Sequence, residues 1–137
     1  FYQLTNVWSQ VGAGIVGTLP EPVAETDFLK KVKQTFEVGC VMHSRQTGRL
    51  IQKVALCGGA GAFLLPNAVR ANADVFITGE VKYHDYFFYE KDILIAAIGH
   101  YESEQYTKEI FYSILKEMFP RLTVEMTRVN TNPIKYL

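Results

Sequence analysis

Three short apolar runs, each followed by a stretch with helical spacing, dominate the second half of the chain. They lie at residues 54–57, 75–78 and 93–98. Runs that are apolar at nearly every position are typical of strands buried on both faces of a parallel sheet. Their alternation with helical stretches predicts an α/β fold, in which a largely parallel or mixed sheet carries helices on both faces.

The first part of the chain carries a weaker pattern. Residues 12–19 are expected to form either a strand or a tight glycine-rich turn, and we expect Pro20 and Pro22 to break the chain after them. A helix is predicted next, with Thr26 or Asp27 as the residue that caps its first turn. The apolar stripe of this helix consists of Phe28, Leu29, Val32 and Phe36.

Three further elements complete the predicted order. Residues 38–42 and 122–126 are expected to form strands. Between them, after the third apolar run, one long helix is expected to reach Phe119, because Pro120 cannot continue it. The apolar face of that helix consists of Tyr106, Ile110, Phe111, Ile114, Leu115 and Met118.

Composition narrows the class of protein. The 137 residues are 48% hydrophobic, which is enough for one ordinary buried core. The 14 basic and 14 acidic side chains cancel, so no net field draws the chain onto nucleic acid or anionic lipid. No apolar run reaches the ~20 residues of a membrane span. We therefore expect a soluble, cytoplasmic protein with neither a nucleic-acid nor a membrane partner.

Two further features of the sequence concern its context. Cys40 and Cys57 lie in apolar runs without CxxC spacing, which favours buried free thiols in a reducing compartment. The chain also begins at Phe1 rather than at Met, in a segment that is already strand-like. We interpret residues 1–137 as a single α/β lobe and expect it to be a fragment of a larger protein.

Candidate chemistry follows each of the three apolar runs. Ligands of open α/β sheets bind at the carboxyl ends of parallel strands, so groups at these ends are expected to share one edge. The groups are Gly58, Gly59 and Gly61 after the first run, Glu80 and His84 after the second, and His100 and Glu104 after the third.

The strongest of these signals is the pair His100 and Glu104. Four residues apart at the start of a helix, they occupy one helical face, and imidazole nitrogen with carboxylate oxygen suits zinc or iron. A plainer interpretation has Glu104 complementing the helix dipole and pairing with Lys108, and His100 bonded to backbone. Two ligands amount to half of a metal site.

Glu80 and His84 have two possible roles. Either can act as a general acid or base, or orient a metal ligand through a hydrogen bond. The plainer interpretation of His84 is a histidine on a helix surface beside Asp85.

Two glycine-rich segments are compatible with ligand binding. The turn containing Gly58, Gly59 and Gly61 can receive a phosphate or carboxylate through its amides, and a tight structural turn explains it equally well. Residues 12–17 fit the GxGxxG dinucleotide fingerprint. Pro20 and Pro22 follow where the fingerprint requires a helix, so we reject dinucleotide binding.

Three segments together resemble a known family. They read VALCGGAG at residues 54–61, ADVFITGEVKYH at 73–84 and GHYESE at 99–104. In this order they are similar to the C-terminal half of the NIF-three-like dinuclear metal centre proteins, also called GTP cyclohydrolase I type 2 homologues. The resemblance covers essentially the whole chain. Residues 132–133 resemble the closing segment of the family, and residues 1–22 resemble the stretch after an inserted domain of its longer members.

The resemblance implies a site larger than this chain. Members hold two metals between two α/β lobes and assemble into ring-like hexamers. His100 and Glu104 match the two ligands of the C-terminal lobe, whereas a His-His pair and an Asp belong to an N-terminal lobe that is missing here. The implied cofactors are two divalent ions (zinc, iron or manganese), and the implied partners are that lobe and further copies of the chain. Ile15 stands where many members have Arg.

The function implied by the resemblance is that of a metal-dependent hydrolase of an unknown small molecule, incomplete and inactive as this lobe alone. Glu80 and His84 are then expected to line the cleft, with Gly58, Gly59 and Gly61 holding an anionic group. One alternative is a non-enzymatic metal-binding or regulatory assembly protein. Another is a module that binds its ligand without metal.

Overall fold

The computed structural model describes residues 12–137. The chain divides into two compact units, Phe1–Ser103 and Glu104–Leu137. The predicted strand at residues 1–6 lies outside the described residues. Among those that are described, no helix combines the length and apolar character needed to cross a membrane.

The first unit is built on a five-stranded mixed sheet with the order β1-β3-β4-β5-β2. Three central strands are parallel, and one antiparallel strand lies at each edge. In chain order the elements are β1 (Ile15–Ala24), α1 (Glu25–Thr35), β2 (Met42–His43), β3 (Leu50–Cys57), a 3₁₀ turn (Gly61–Leu64), α2 (Leu65–Arg70), β4 (Val75–Thr78), α3 (Tyr83–Tyr89) and β5 (Leu94–Ala97).

Two hydrophobic cores cover the two faces of this sheet, because successive side chains of a strand point to opposite sides. In β4, Val75 and Ile77 pack with Phe28 of α1. Phe76, between them, packs in the other core with Leu65 of α2. This arrangement confirms the predicted fold class: a mixed sheet with three parallel strands at its centre and helices on both faces.

The two prolines do not end the first strand, contrary to the sequence-based expectation. β1 continues through Pro20 and Pro22 to Ala24, and its register against β3 shifts between Thr18 and Val23. Proline lacks the N–H that a central strand needs, but an edge strand with a bulge tolerates it. The prolines therefore lie within an irregular part of an edge strand.

Helix α1 follows directly and begins earlier than predicted. Its first residue is Glu25, and neither Thr26 nor Asp27 caps it, since Ala24 is the N-cap and makes no side-chain cap bond. Three members of the predicted apolar stripe, Phe28, Leu29 and Val32, are buried, whereas Phe36 is the C-cap after the last helical residue. The strand predicted at residues 38–42 is reduced to β2, and Cys40 is exposed, whereas Cys57 is buried as expected.

The single long helix predicted near the C-terminus is two helices. α4 (His100–Glu104) contains the boundary between the two units, and α5 (Thr107–Met118) belongs to the second. Residues 122–126 carry no strand, which corrects another expectation. Much of the apolar face of α5 is exposed, including Ile110, Phe111 and Met118.

Candidate functional site

Three loops leave the carboxyl ends of β3, β4 and β5 and are joined at one peptide group. The carbonyl oxygen of Gly59 accepts hydrogen bonds from the amides of Gly79 (3.0 Å) and Glu80 (3.1 Å). It also accepts one from the hydroxyl of Thr78 at 3.2 Å. The parallel register of the strands thus places the loop after β3 directly against the loop after β4.

The third loop is tied to the same peptide through Ser103. The hydroxyl of Ser103 donates to the carbonyl oxygen of His100 (2.8 Å) and accepts from the amide of Gly59 (2.8 Å). The amide of Gly99 donates to the carbonyl oxygen of Gly79 at 3.1 Å. All three loop backbones are therefore fixed relative to one another.

Two glycines permit this close approach. A Cβ at Gly79 would lie 2.6 Å from the carbonyl oxygen of Gly59 and 2.8 Å from the hydroxyl of Ser103. Gly99 has a φ of +97°, and a Cβ there would collide with the carboxylate of Glu102, which is buried. The left-handed conformation at Gly99 lets the chain turn from β5 into α4 without steric cost.

His100, the first residue of α4, is oriented by a carboxylate. Its Nδ1 lies 2.9 Å from Oε1 of Glu80, which follows β4. Both side chains remain partly open to solvent, with 44% of the His100 side chain and 58% of the Glu80 side chain exposed. The structure therefore brings together two of the predicted site residues from different strand ends.

The glycine turn after β3 is largely occupied by internal bonds. The amide of Gly59 donates to Ser103, and the amide of Gly61 donates to the hydroxyl of Thr78 at 3.1 Å. A Cβ at Gly61 would lie 2.7 Å from that hydroxyl, so close packing also requires this glycine. Two of the three glycines predicted to hold an anion thus already use their amides to hold the site together. Anion binding at Gly58, Gly59 and Gly61 stays a prediction.

A cleft of about 610 Å³ opens beside Glu80. Its size falls within the range usual for small-molecule sites. Phe63, with 67% of its surface exposed, provides an aromatic wall. The lining residues are Ala60, Ala62, Phe63, Glu80, Val81, Lys82 and Asp85.

His84 lies on α3 but is absent from the residues that line this cleft. It is exposed, and its ring stands edge-on to that of Tyr83 with 5.4 Å between the ring centres. Asp85, its neighbour, accepts a hydrogen bond from the amide of Lys82 at 3.3 Å and so closes the first turn of α3. The role predicted for His84 stays a prediction.

Glu104 is the last residue of α4 and the first residue of the second unit. It is exposed, and its role as a metal ligand stays a prediction. Within residues 12–137, no group of three or more His, Cys, Asp or Glu side chains is arranged to hold a metal ion. The donors predicted from the sequence accordingly remain the two on α4.

Sequence reasoning missed several residues that shape this site. Ser103 lies within the GHYESE segment, yet serine at a helix start usually indicates capping rather than a link between loops. Thr78 ends β4 and bonds both Gly59 and Gly61, for which the sequence offers no signal beyond a polar residue after an apolar run. Phe63 and Lys82 line one cleft in the folded chain, but nothing in the sequence distinguishes them from other surface residues.

The sheet and the interlocked loops at its carboxyl edge define an α/β protein with a candidate site at the ends of its parallel strands. Residues 3–133 match the profile of the Duf34/NIF3 (NGG1p interacting factor 3) family. The chain belongs to this family, which confirms the resemblance seen in the sequence.

Curated relatives carry the name GTP cyclohydrolase 1 type 2 homolog. The relative from Staphylococcus epidermidis is 30% identical over 136 residues, which cover 96% of this chain and 37% of the relative. One from Staphylococcus aureus (strain COL) is 29% identical over 134 residues, covering 94% of this chain and 36% of the relative. The chain thus spans little more than a third of the length of these relatives.

Solved structures have the same fold. A crystal structure of a Staphylococcus aureus protein superposes with a TM-score of 0.79 at 25% identity, over 92% of this chain and 42% of that one. A Bacillus cereus protein related to NIF3 superposes with a TM-score of 0.76 at 23% identity, over 90% of this chain and 36% of that one. In both cases the match again covers less than half of the longer protein.

Proposed function

We propose that this chain contributes His100 and Glu104 to a dinuclear metal centre of a larger, two-lobed protein, and that the centre is hydrolytic. The observation that carries the proposal is the hydrogen bond between His100 Nδ1 and Glu80. Histidine ligands of metals characteristically bond a carboxylate through the ring nitrogen that faces away from the metal. The carboxylate contact of His100, beside a cleft at the strand ends, supports its assignment as a ligand.

The donor chemistry fits a divalent ion. An imidazole nitrogen and a carboxylate oxygen, placed four residues apart on the helix α4, suit zinc, iron or manganese. Two such ions, when bound, would lower the pKa of a water molecule and polarise the bond that it attacks. The remaining ligands are proposed to come from an N-terminal lobe, because the chain spans 37% of its relative.

The residues of the cleft would bind and orient the substrate. Phe63 and Val81 provide apolar surface, while Lys82 and Asp85 place opposite charges on the lining. Glu80 reaches both the cleft and His100, so it is positioned to hold a proton close to the metal ligand. We retain His84 as a second candidate acid or base, and Gly58, Gly59 and Gly61 as the turn proposed to meet an anionic group.

The substrate is proposed only as a small molecule. The relatives' name includes GTP cyclohydrolase, which for this chain would mean hydrolysis of a purine ring. GTP therefore belongs among the compounds to be tested, together with phosphoesters and cyclic amidines.

A second candidate is a non-enzymatic metal-binding assembly protein, in which copies of the chain associate. The exposure of Ile110 (59%), Phe111 (61%) and Met118 (65%) on α5 favours it. Contiguous exposed apolar surface commonly marks a surface that associates with another protein. Homo-oligomerisation fits the enzyme as well, so turnover rather than association distinguishes the two functions. In either case a cytoplasmic location stays a prediction.

The first test is elemental analysis after incubation with zinc, iron or manganese and desalting. We expect this chain to retain little metal, since it supplies two ligands, and a protein containing both lobes to retain two ions per chain. His100→Ala in the two-lobed protein should lower the retained metal and abolish turnover while leaving the oligomer intact. Lys108→Ala, on the same part of the chain, is the matched control and should do neither.

Two results would contradict the proposal. Retention of both ions by the two-lobed His100→Ala protein would remove His100 from the ligand set. Metal binding without turnover of any tested substrate would favour the assembly protein over the hydrolase.

A further inference from the structure

We propose that the groove between helix α1 and strand β2 binds the phosphoryl group of a small phosphomonoester. The ammonium groups of Lys30 and Lys33 are its cationic contacts. The groove has a volume of about 320 Å³, at the lower end of the range usual for small-molecule sites. It shares no lining residue with the cleft beside Glu80, so the proposal goes beyond the proposed function and does not depend on it.

The charge of the surrounding segment favours an anion. Residues 30–49 contain five lysines and arginines and one glutamate. Because the whole chain has 14 basic and 14 acidic side chains, nine basic and 13 acidic ones remain for all other residues. A segment with four excess positive charges thus lies in a chain whose net charge is zero. A local excess of one sign attracts ligands of the opposite sign.

The groove itself contains cations and no carboxylate. Lys30 and Lys33 are three positions apart in α1, and side chains at this spacing are neighbours on a helix surface. Among the described residues that line the groove, none is an aspartate or a glutamate. Lys30 does pair with Asp27 at 3.2 Å, but both side chains are largely exposed, so this pair is weak and an anion can compete with it. Two neighbouring ammonium groups match the nearly double charge of a phosphomonoester better than the single charge of a carboxylate.

Neutral donors complete the site. The side-chain amide of Gln46 donates to the hydroxyl of Thr26 at 3.1 Å, and both residues line the groove. A hydroxyl that accepts one hydrogen bond still has its own proton, and a side-chain amide has two N–H groups. Thr26 and Gln46 can therefore each donate to a phosphoryl oxygen without losing their mutual bond. Leu29 and Val41, which also line the groove, provide apolar contacts for the organic part of the ligand.

Hydrogen bonds hold the walls of the groove in place. The loop before β3 is fixed to the start of α1, because the buried carboxylate of Glu25 accepts hydrogen bonds from Thr47 and Gly48. On the side of the sheet, β2 pairs with β5. The ring of His43, which lines the groove, is oriented by a contact of 2.7 Å between its Nδ1 and the carbonyl oxygen of the next residue. A site whose walls are fixed in advance loses little conformational freedom when it binds a ligand.

The test is ¹H–¹⁵N correlation NMR of the chain titrated with inorganic phosphate, phenyl phosphate or acetate. We expect both phosphates to shift the amide signals of the groove residues, including the side-chain amide of Gln46. Phenyl phosphate should bind more tightly than inorganic phosphate, because its ring can contact Leu29 and Val41. Acetate should bind most weakly, because it carries a single charge.

Substitution of exposed lysines identifies the contacts. Lys33→Ala should weaken the binding of phenyl phosphate about fivefold, and its combination with Lys30→Ala at least about tenfold, as expected for charged contacts open to solvent. The matched control is Lys31→Ala, which removes the same charge from the same helix at a residue that does not line the groove. It should change the affinity less than about twofold, because salt screens distant charges. A thermal melt of each variant verifies that the fold persists.

Three results would overturn the proposal. The first is the lack of a saturable shift with phenyl phosphate at millimolar concentrations. The second is the same affinity in the parent and in the double variant. The third is equal weakening by Lys31→Ala and Lys33→Ala, which would assign binding to the general charge of α1 rather than to the groove. Because no metal takes part in these measurements, failure of the phosphoryl site would leave the proposed metal centre standing.

Discussion

At the scale of single residues, the site depends on glycines at positions where a Cβ atom would clash with neighbouring atoms. Gly79 lies between the Gly59 carbonyl group and the backbone of His100, with no flexible neighbour that can move away at low cost. Backbone atoms fixed by hydrogen bonds cannot relax as the tip of a long side chain can.

Gly79→Ala is expected to destabilise the protein by about 1–3 kcal/mol, as overpacking of a tightly packed position does. Its Cβ would lie 2.6 Å from the Gly59 oxygen and 3.0 Å from the His100 Cα. Urea denaturation measures the change. Gly17→Ala is the matched control, because no atom of residues 12–137 lies within 4 Å of the position that its Cβ would occupy. Equal urea midpoints for the two variants would show that the loops can move apart to accommodate the Cβ without loss of stability.

Tyr86 predicts a dependence of stability on alkaline pH. Burial raises the pKa of its phenol above the usual 10.0, since the charged form loses hydration. Its hydroxyl is buried and has no hydrogen-bond partner within the described part of the chain. The unfolded chain therefore releases this proton at a lower pH than the folded one. Stability from Tyr86 is fully present below pH 10 and is lost as pH rises through the folded pKa.

Tyr86→Phe should remove that loss. At pH 8 we expect the variant to be as stable as the parent, or more stable by about 1 kcal/mol, because an unsatisfied hydroxyl has been removed. Between pH 9 and 11 the parent should lose more stability than the variant in urea denaturation. Parallel losses in the two proteins would mean that the phenol is solvated in the folded state.

At the scale of elements, a single buried carboxylate joins helix α1 to the loop before β3. Glu25 accepts hydrogen bonds from the amide and hydroxyl of Thr47, at 2.8 and 2.7 Å, and from the amide of Gly48 at 3.0 Å. It is only 5% exposed, although it is the first residue of its helix. The helix start and the loop are therefore ordered together.

Glu25→Ala should destabilise the protein by about 1–3 kcal/mol, the usual cost of leaving buried donors without an acceptor. Asp27→Ala, two residues on, is the control. It removes an exposed partner of Lys30 and should cost less than about 1 kcal/mol. Hydrogen exchange at the amides of Thr47 and Gly48 should accelerate in Glu25→Ala alone. Unchanged exchange at both amides would show that other groups order the loop.

At the scale of the whole molecule, two observations bear on the proposed association of this chain with other proteins. It covers 37% of a relative, and α5 exposes apolar residues to solvent. Apolar area removed from water contributes roughly 25 cal/mol per Å², so a helix face of this kind favours association. Because most soluble oligomers are symmetric assemblies of identical chains, self-association is the form of association to test first.

Phe111→Lys should weaken self-association without unfolding the chain, because this ring is 61% exposed. Sedimentation velocity over a range of concentrations is the measurement. Lys116→Ala, on the polar side of the same helix, should sediment as the parent does. If the parent is itself monomeric at every concentration, the apolar surface of α5 does not join copies of this chain.

The sequence predicted the centre of the fold better than its edges. β3, β4 and β5 were located from apolar runs, because strands buried on both faces must be apolar throughout. The extent of the edge strands depends on how they pair with their neighbours and where they bulge. The continuation of β1 past Pro20 and the shortness of β2 were therefore not predicted. The break between α4 and α5 was also missed, since helical spacing of apolar residues persists across it.

The same division holds for the candidate site. Local sequence indicated Gly59, Glu80 and His100, because each follows an apolar run and ligands of open α/β sheets bind at the carboxyl ends of parallel strands. It also carried the three motifs that assign the chain to the Duf34/NIF3 family. Only the tertiary structure decided that Glu80 bonds His100 and that Ser103 and Gly59 hold their backbones. Those contacts join residues 20 and 44 positions apart, so they exist only once parallel strands align their ends.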